Sequence, residues 1–248
     1  MAILVAPSVK LPSRDAVERA MLDLERVLGP SKVLVDRDAC AAYASDDSDV
    51  GGVPPDIVVL ASSLDDVTKA LGVAEAREVP MTPRAGGTGR TGGAVPVAGG
   101  IVIATSALCS IKDIDRKNLV AVVEPGVVTG ALQAAVEKEG LFYAPDPSSL
   151  SSCCIGGNIA ENAGGPRAFK YGVTRDWVLG VEAALMGGTV VRTGKRTIKG
   201  VTGYDVTSLL VGSEGTLAVF TEATLRLVRK PSRVGTALAL FRDVKAAA

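Results

Sequence analysis

The sequence predicts an α+β fold of two sheet-containing lobes that meet at a glycine-rich loop. Two blocks of alternating strand and helix signals, about 53–110 and 118–232, provide the lobes. The loop is the stretch Val79 to Thr105, which carries five glycines between Gly86 and Gly93. Those glycines let the backbone reach positive φ and approach a ligand with no Cβ in the way. Successive N–H groups in such a loop can form a nest for anionic oxygens. A flexible linker or a hairpin turn is the plain alternative.

In chain order, Asp15 to Leu28 places Val17, Met21, Leu24 and Leu28 at helical spacing, with Ser13 as its cap and Gly29-Pro30 as its stop. Asp36 to Val53 is polar and reads as an irregular lead-in, so residues 1–52 form an N-terminal helix and lead-in segment. Asp56 to Ala61 is a β-branched strand, and Ser63 opens a helix running to about Glu78 with Val67, Leu71 and Ala74 inward. Strands over Val79 to Thr82 and Ile101 to Thr105 enter and leave the glycine loop. Asn118 to Glu124 is a strand, Thr129 to Glu139 a helix stopped by Gly140, and Gly157 to Ala163 a short helix. Gly187-Gly188 signals a hairpin between Val178–Met186 and Thr189–Arg192. A helix around Asp205 to Val211 precedes a long strand over Gly215 to Val228, and Ala237 to Phe241 reads as one more strand.

With 27 basic and 27 acidic residues the formal net charge is zero, and no basic block supports nucleic-acid binding. No apolar run reaches the length of a membrane span, so the expected location is the cytoplasm. Cys40, Cys109, Cys153 and Cys154 lack metal-ligand spacing and read as small buried residues. The chain contains no histidine, which removes the commonest general base and metal ligand together.

Two phosphate motifs can be tested on the loop. Gly87, Gly89 and Gly92 spell G-x-G-x-x-G, but the dinucleotide fingerprint needs a helix to open there. Ala94-Val95-Pro96, Gly99-Gly100 and the run Ile101-Val102-Ile103 prevent one. No Gly-Lys-Ser/Thr closes a Walker loop either. The loop joins strand to strand.

Pro83-Arg84-Ala85-Gly86-Gly87-Thr88-Gly89 through Gly93-Ala94 resembles the pyrophosphate loop of FAD-linked oxidases of the vanillyl-alcohol oxidase type. Val123 to Val127, Pro145 to Ser149, Ile155 to Gly165, Lys170-Tyr171-Gly172 and Gly212 to Leu217 follow in the family's order. The resemblance is strongest to the FAD-binding half of the glycolate oxidase large subunit and its D-lactate dehydrogenase relatives, over roughly residues 30–232. It implies a PCMH-type FAD-binding domain at 53–232, with FAD extended between the lobes. Residues 233–248 would then be the first strand of a truncated substrate domain.

Residue by residue, the resemblance implies that Arg84, Gly86, Gly87, Thr88 and Gly89 hold the pyrophosphate, and that Thr91, Gly92 and Gly93 continue that wall. Pro147, Ser148, Ser152, Gly156, Gly157, Asn158 and Asn162 would line the flavin and its ribityl chain. Glu214, Gly215 and Val219 would reach the cofactor from the final strand, where Ala218 replaces the usual glycine. FAD would be held non-covalently, no metal is expected, and no catalytic residue can be named. The implied activity is oxidation of a 2-hydroxy acid such as glycolate or D-lactate, with hydride passing to the flavin. The implied partners are other oxidase subunits, an iron–sulfur protein among them, which would place the protein at the periphery of the inner membrane. A non-catalytic flavoprotein module and an NADPH-dependent reductase of the same flavin fold are the alternatives.

Overall fold

The computed structural model describes residues 11–247, so the first ten residues of the expected lead-in lie outside the described residues. Helix α1 (Arg14–Leu28) begins where Ser13 Oγ accepts from the Ala16 N–H at 3.1 Å, and stops at Gly29, whose φ is 89°. Strand β1 (Val33–Leu34) follows, then α2 (Arg37–Ala41), a short helix inside the segment expected to be irregular. Asp36 caps α2 by accepting from Asp38 and Ala39 N–H groups. Strand β2 (Ile57–Leu60), helix α3 (Leu64–Ala76), β3 (Met81–Arg84) and β4 (Ile101–Ala104) complete the first lobe.

Its sheet has the order β1-β2-β4-β3, with β2, β4 and β3 parallel and β1 antiparallel to β2. Parallel neighbours need a crossover of about a dozen residues or more, usually a helix. Between β3 and β4 that crossover is the glycine loop, residues 85–100, without a helix, as the sequence requires. Leu24 of α1, Leu71 of α3 and Ile57, Ile101 and Ile103 of the sheet form the lobe's core.

The second lobe contains β5 (Ile111–Asp115), β6 (Val120–Val123), α4 (Thr129–Lys138), β7 (Leu141–Phe142), α5 (Ile155–Glu161), α6 (Ala168–Tyr171), β8 (Val178–Ala184), β9 (Val190–Gly194), α7 (Val206–Leu210), β10 (Val219–Arg226) and β11 (Val228–Arg229). Its sheet runs β5-β6-β10-β8-β9 and every pair is antiparallel, whereas β7 and β11 pair separately. The alternation of strand and helix signals here does not build a parallel sheet: α4 returns the chain to β7, outside the main sheet. Leu132, Tyr143, Ile155, Ile159, Trp177 and Leu225 are fully or nearly buried in this lobe's core. Ala184 and Val219 of this sheet pack into the first lobe's core, joining the two by apolar contact.

Three further expectations are corrected. Strand β5 was not expected; a register shift between Ile111 and Asp113 breaks the two-residue period that would have revealed it. The final long strand starts at Val219 instead of Gly215, because Glu214 and Gly215 stand at φ 55° and 74°, outside strand geometry. Ala237 to Phe241 forms no strand: these residues are exposed and pair with no sheet edge among the described residues, and only a short helix, α8 (Val244–Ala247), follows. Both glycines of the predicted hairpin do have positive φ, 80° and 88°, as a tight turn between β8 and β9 requires. Among the described residues, no helix is long and apolar enough to cross a membrane.

Candidate functional site

A cleft of about 790 Å³, counting its open mouth, lies between the lobes. Arg84, Gly86, Gly87, Thr88, Gly89 and Gly93 line one wall. Gly86, Gly87, Thr88 and Gly89 all line the cleft, and their backbone N–H groups donate to no other group among the described residues. Unpaired backbone donors are costly to bury and are normally satisfied by a ligand or solvent. The Arg84 guanidinium is held beside Gly87 by the protein itself: it donates to Ser45 O at 2.7 Å and lies over the Tyr43 ring. Burial lowers the Arg84 pKa, and Asp46 opposes that shift. A Cβ on Gly87 would overlap this guanidinium, and one on Gly86 would come within 2.9 Å of Ser152 O in the opposite wall. The loop's glycines are thus needed on both of its sides.

The second wall is built from the end of β6, the segment 145–154 and α5, with Pro147, Gly156, Gly157 and Asn158 at its surface. Buried Gln133 of α4 donates to the carbonyls of Tyr143 (3.1 Å) and Pro145 (2.8 Å), fixing the start of the segment. Asn158 donates to the Thr129 hydroxyl at 2.6 Å. A Cβ on Gly156 would meet Pro125, which is how α5 comes so close to β6. A Cβ on Gly157 would meet nothing within 4 Å. Glu214, Gly215 and Val219 close the cleft from the segment leading into β10.

Five expected residues stand elsewhere. Thr91 donates to the Glu214 carboxylate at 3.0 Å. Gly92 packs against Val50, and Ser148 is exposed. Ser152 Oγ donates to Ser149 O at 3.2 Å. Asn162 ends α5 in the left-handed region, and its Oδ1 accepts from the Arg175 N–H at 2.8 Å.

The cleft also contains residues the sequence did not single out. Cys154 Sγ lies against Gly86, and burial pushes its thiol up to about 11. Glu161 lies against Gly89, and burial, then the charges of Glu214 and Asp46, push its carboxyl upward. Helical spacing could have found Glu161, since it falls one turn after Gly157 on the same face. Cys154 offers no such signal. Among the described residues, no cluster of His, Cys, Asp or Glu is arranged to hold a metal ion.

The model of the family described as FAD binding domain matches residues 55–194, more than half of the chain, and spans the glycine loop and α5. The chain is 48% identical over 194 residues to a glycolate oxidase subunit GlcD of Bacillus subtilis, covering 78% of this chain and 41% of that relative. It is 38% identical over 222 residues to a D-2-hydroxyglutarate dehydrogenase of Stutzerimonas stutzeri, covering 89% and 48%. A solved p-cresol methylhydroxylase superposes with a TM-score of 0.77 at 21% identity, over 90% of this chain and 46% of that one, a likeness of fold alone. The chain spans less than half the length of each of these proteins. FAD fits the residues present: four unpaired N–H groups suit its pyrophosphate, and Gly157 leaves the opposite wall open. With that donor row, that open wall and the matching family model, the chain belongs to the FAD-binding domain family and its cofactor is FAD.

Proposed function

We propose that this chain is the FAD-binding part of a 2-hydroxy-acid dehydrogenase acting on glycolate or D-lactate, with residues 53–232 as the cofactor domain. The row of unpaired N–H groups at 86–89 carries the reading, in a chain similar to proteins named glycolate oxidase subunit, D-lactate dehydrogenase and D-2-hydroxyglutarate dehydrogenase. Gly86, Gly87, Thr88 and Gly89 bind the pyrophosphate through their backbone. Pro147, Gly157 and Asn158 form the facing wall, and Glu214, Gly215 and Val219 bound the end of the cleft.

When bound, FAD supplies a hydride acceptor for the hydrogen at C2 of the substrate. The hydroxyl proton needs a base. Of the ionisable side chains lining the cleft, Arg84, Cys154, Glu161 and Glu214 lie against Gly87, Gly86, Gly89 and Gly93 of the glycine loop, where the pyrophosphate is expected, and buried Cys153 donates to the Thr129 hydroxyl. We therefore assign the base and the substrate-carboxylate clamp to a substrate domain or partner subunit beyond residues 1–248. An iron–sulfur subunit would accept electrons and hold the assembly at the inner membrane. The attachment is non-covalent: the chain has no histidine, and Cys154 is buried with its thiol raised.

The purified 248-residue chain should contain FAD that acid or heat releases; flavin fluorescence that stays on the denatured polypeptide would overturn the non-covalent assignment. Its turnover of glycolate or D-lactate should be negligible. Loss of substrate positioning costs about 7–11 kcal/mol of barrier, and loss of a base a further factor of roughly 10²–10⁴. Joined to its substrate domain or subunits, anaerobic flavin bleaching by either acid is expected. Bleaching by NADPH alone would establish a reductase instead, and bleaching by none of them a non-catalytic module. Rates within tenfold of an ordinary enzyme's roughly 10 s⁻¹ from the 248-residue chain would overturn the assignment of the base to another domain.

A further inference from the structure

The two lobes touch across the cleft at the strap that leads from α7 into β10. On one side the strap is bonded to the last turn of α5: the Gly212 N–H donates to Ile159 O and the Glu214 N–H to Ala160 O, both at 2.9 Å. On the other it meets the first lobe, where the Glu214 carboxylate accepts from Thr91 Oγ1 at 3.0 Å and Gly215 packs directly on the Pro83 ring. Gly212, Glu214 and Gly215 all have positive φ, so no strand ladder sets the strap's course.

Arg175 supplies what the ladder does not. Its guanidinium donates to Ser208 O and to Val211 O, the latter at 2.7 Å, taking up carbonyls at the end of α7 where the strap begins. Its own backbone N–H donates to Asn162 Oδ1 at 2.8 Å, at the C-cap of α5. A Cβ on Gly212 would lie 3.1 Å from its Nη2, so the guanidinium also backs the strap directly. One residue thus joins the ends of two helices to the segment that presents Glu214 and Gly215 to the cleft, by its backbone N–H at α5 and by its guanidinium at α7. Arg175 itself is not part of the cleft lining.

We infer that Arg175 is a positioning residue for FAD: it sets where Glu214 and Gly215 stand against Thr91 and Pro83, and with them the separation of the cleft's two walls. This rests on FAD occupying the cleft, which titration of the wild-type apoprotein with FAD tests by itself; failure of the wild type to bind overturns that reading and the inference with it. Dissociation constants from flavin fluorescence and apoprotein melting curves are compared for R175M, R175K, T91V, R175M/T91V and I114A, the last a destabilised control outside the cleft. R175M should weaken FAD about tenfold, R175K less, and I114A not at all. T91V should weaken FAD in the wild-type background and add about nothing to R175M, since the strap it ties has already shifted. An R175M affinity equal to wild type, or reduced no more than that of an equally destabilised I114A, overturns the inference. If R175M does not fold, R175K decides: a lysine reaches only one of the two carbonyls, and wild-type affinity in that variant overturns it equally.

Discussion

The two walls of the cleft solve their polar bookkeeping in opposite ways. On the glycine-loop wall the backbone donors of residues 86–89 are left without a protein partner. On the α5 wall several polar side chains are already committed: Gln133 to two carbonyls, Asn158 to Thr129, Asp146 to Arg167 and Asn162 to Arg175. The first wall leaves main-chain donors available to an anionic ligand, and the second uses its side chains to hold a shape. Substitutions on the first should therefore change affinity and leave the apoprotein intact, whereas those on the second should divide according to what each backbone position faces.

The largest effect is expected from Thr88→Asp. A carboxylate set against the pyrophosphate repels it by a few kcal/mol at intermediate dielectric, a loss on the order of a hundredfold or more in FAD affinity. The apoprotein's melting temperature should not move. Undiminished flavin occupancy in this variant would remove the pyrophosphate from the loop and end the contrast.

Adjacent glycines on the second wall sharpen it. Gly156→Ala brings a Cβ within 2.6 Å of Pro125 Cβ and should destabilise the fold by about 1–3 kcal/mol. Gly157→Ala meets nothing within 4 Å; a helix-interior methyl should stabilise the apoprotein by about 0.5–1 kcal/mol while weakening FAD, because it protrudes into the cleft. Thermal melts and flavin titrations of the pair provide the check, and wild-type FAD affinity in Gly157→Ala would show that the cofactor does not reach this wall.

The smallest effect concerns Glu161, which stands on the second wall but leans on the first. Burial, then Glu214 and Asp46, raise its carboxyl pKa, with a smaller opposing contribution from Thr91. A carboxyl whose folded pKa exceeds its unfolded one favours folding while protonated and loses that contribution as pH rises through the folded value. Glu161→Gln should therefore raise the apoprotein's melting temperature at neutral pH, and the gain should vanish below about pH 4, where both forms are neutral. A variant less stable than wild type at pH 7 would mean that favourable contacts of the carboxylate outweigh its burial and the repulsion.

The sequence by itself determined most of the helices and the glycine loop that lines the cleft. Caps such as Ser13 and Ser63 and the stop at Gly29 mark their helices because capping involves only neighbouring residues. Pro96, Gly99 and Gly100 exclude a helix after the glycine loop for equally local reasons. Strand pairing depended on tertiary contacts. The bulge in β5 hid that strand's alternation, and the antiparallel second sheet depends on partners a hundred residues or more apart in sequence, as in β6 against β10. Glu161 and Glu214 illustrate the same limit at the site: their motifs are visible in the chain, but their convergence on one loop is not. Arg175 carries no local signal either, since the carbonyls it binds lie 33 and 36 residues away. Caps and breakers act within one turn, whereas charge, desolvation and wall separation are set by atoms that only the folded chain brings together.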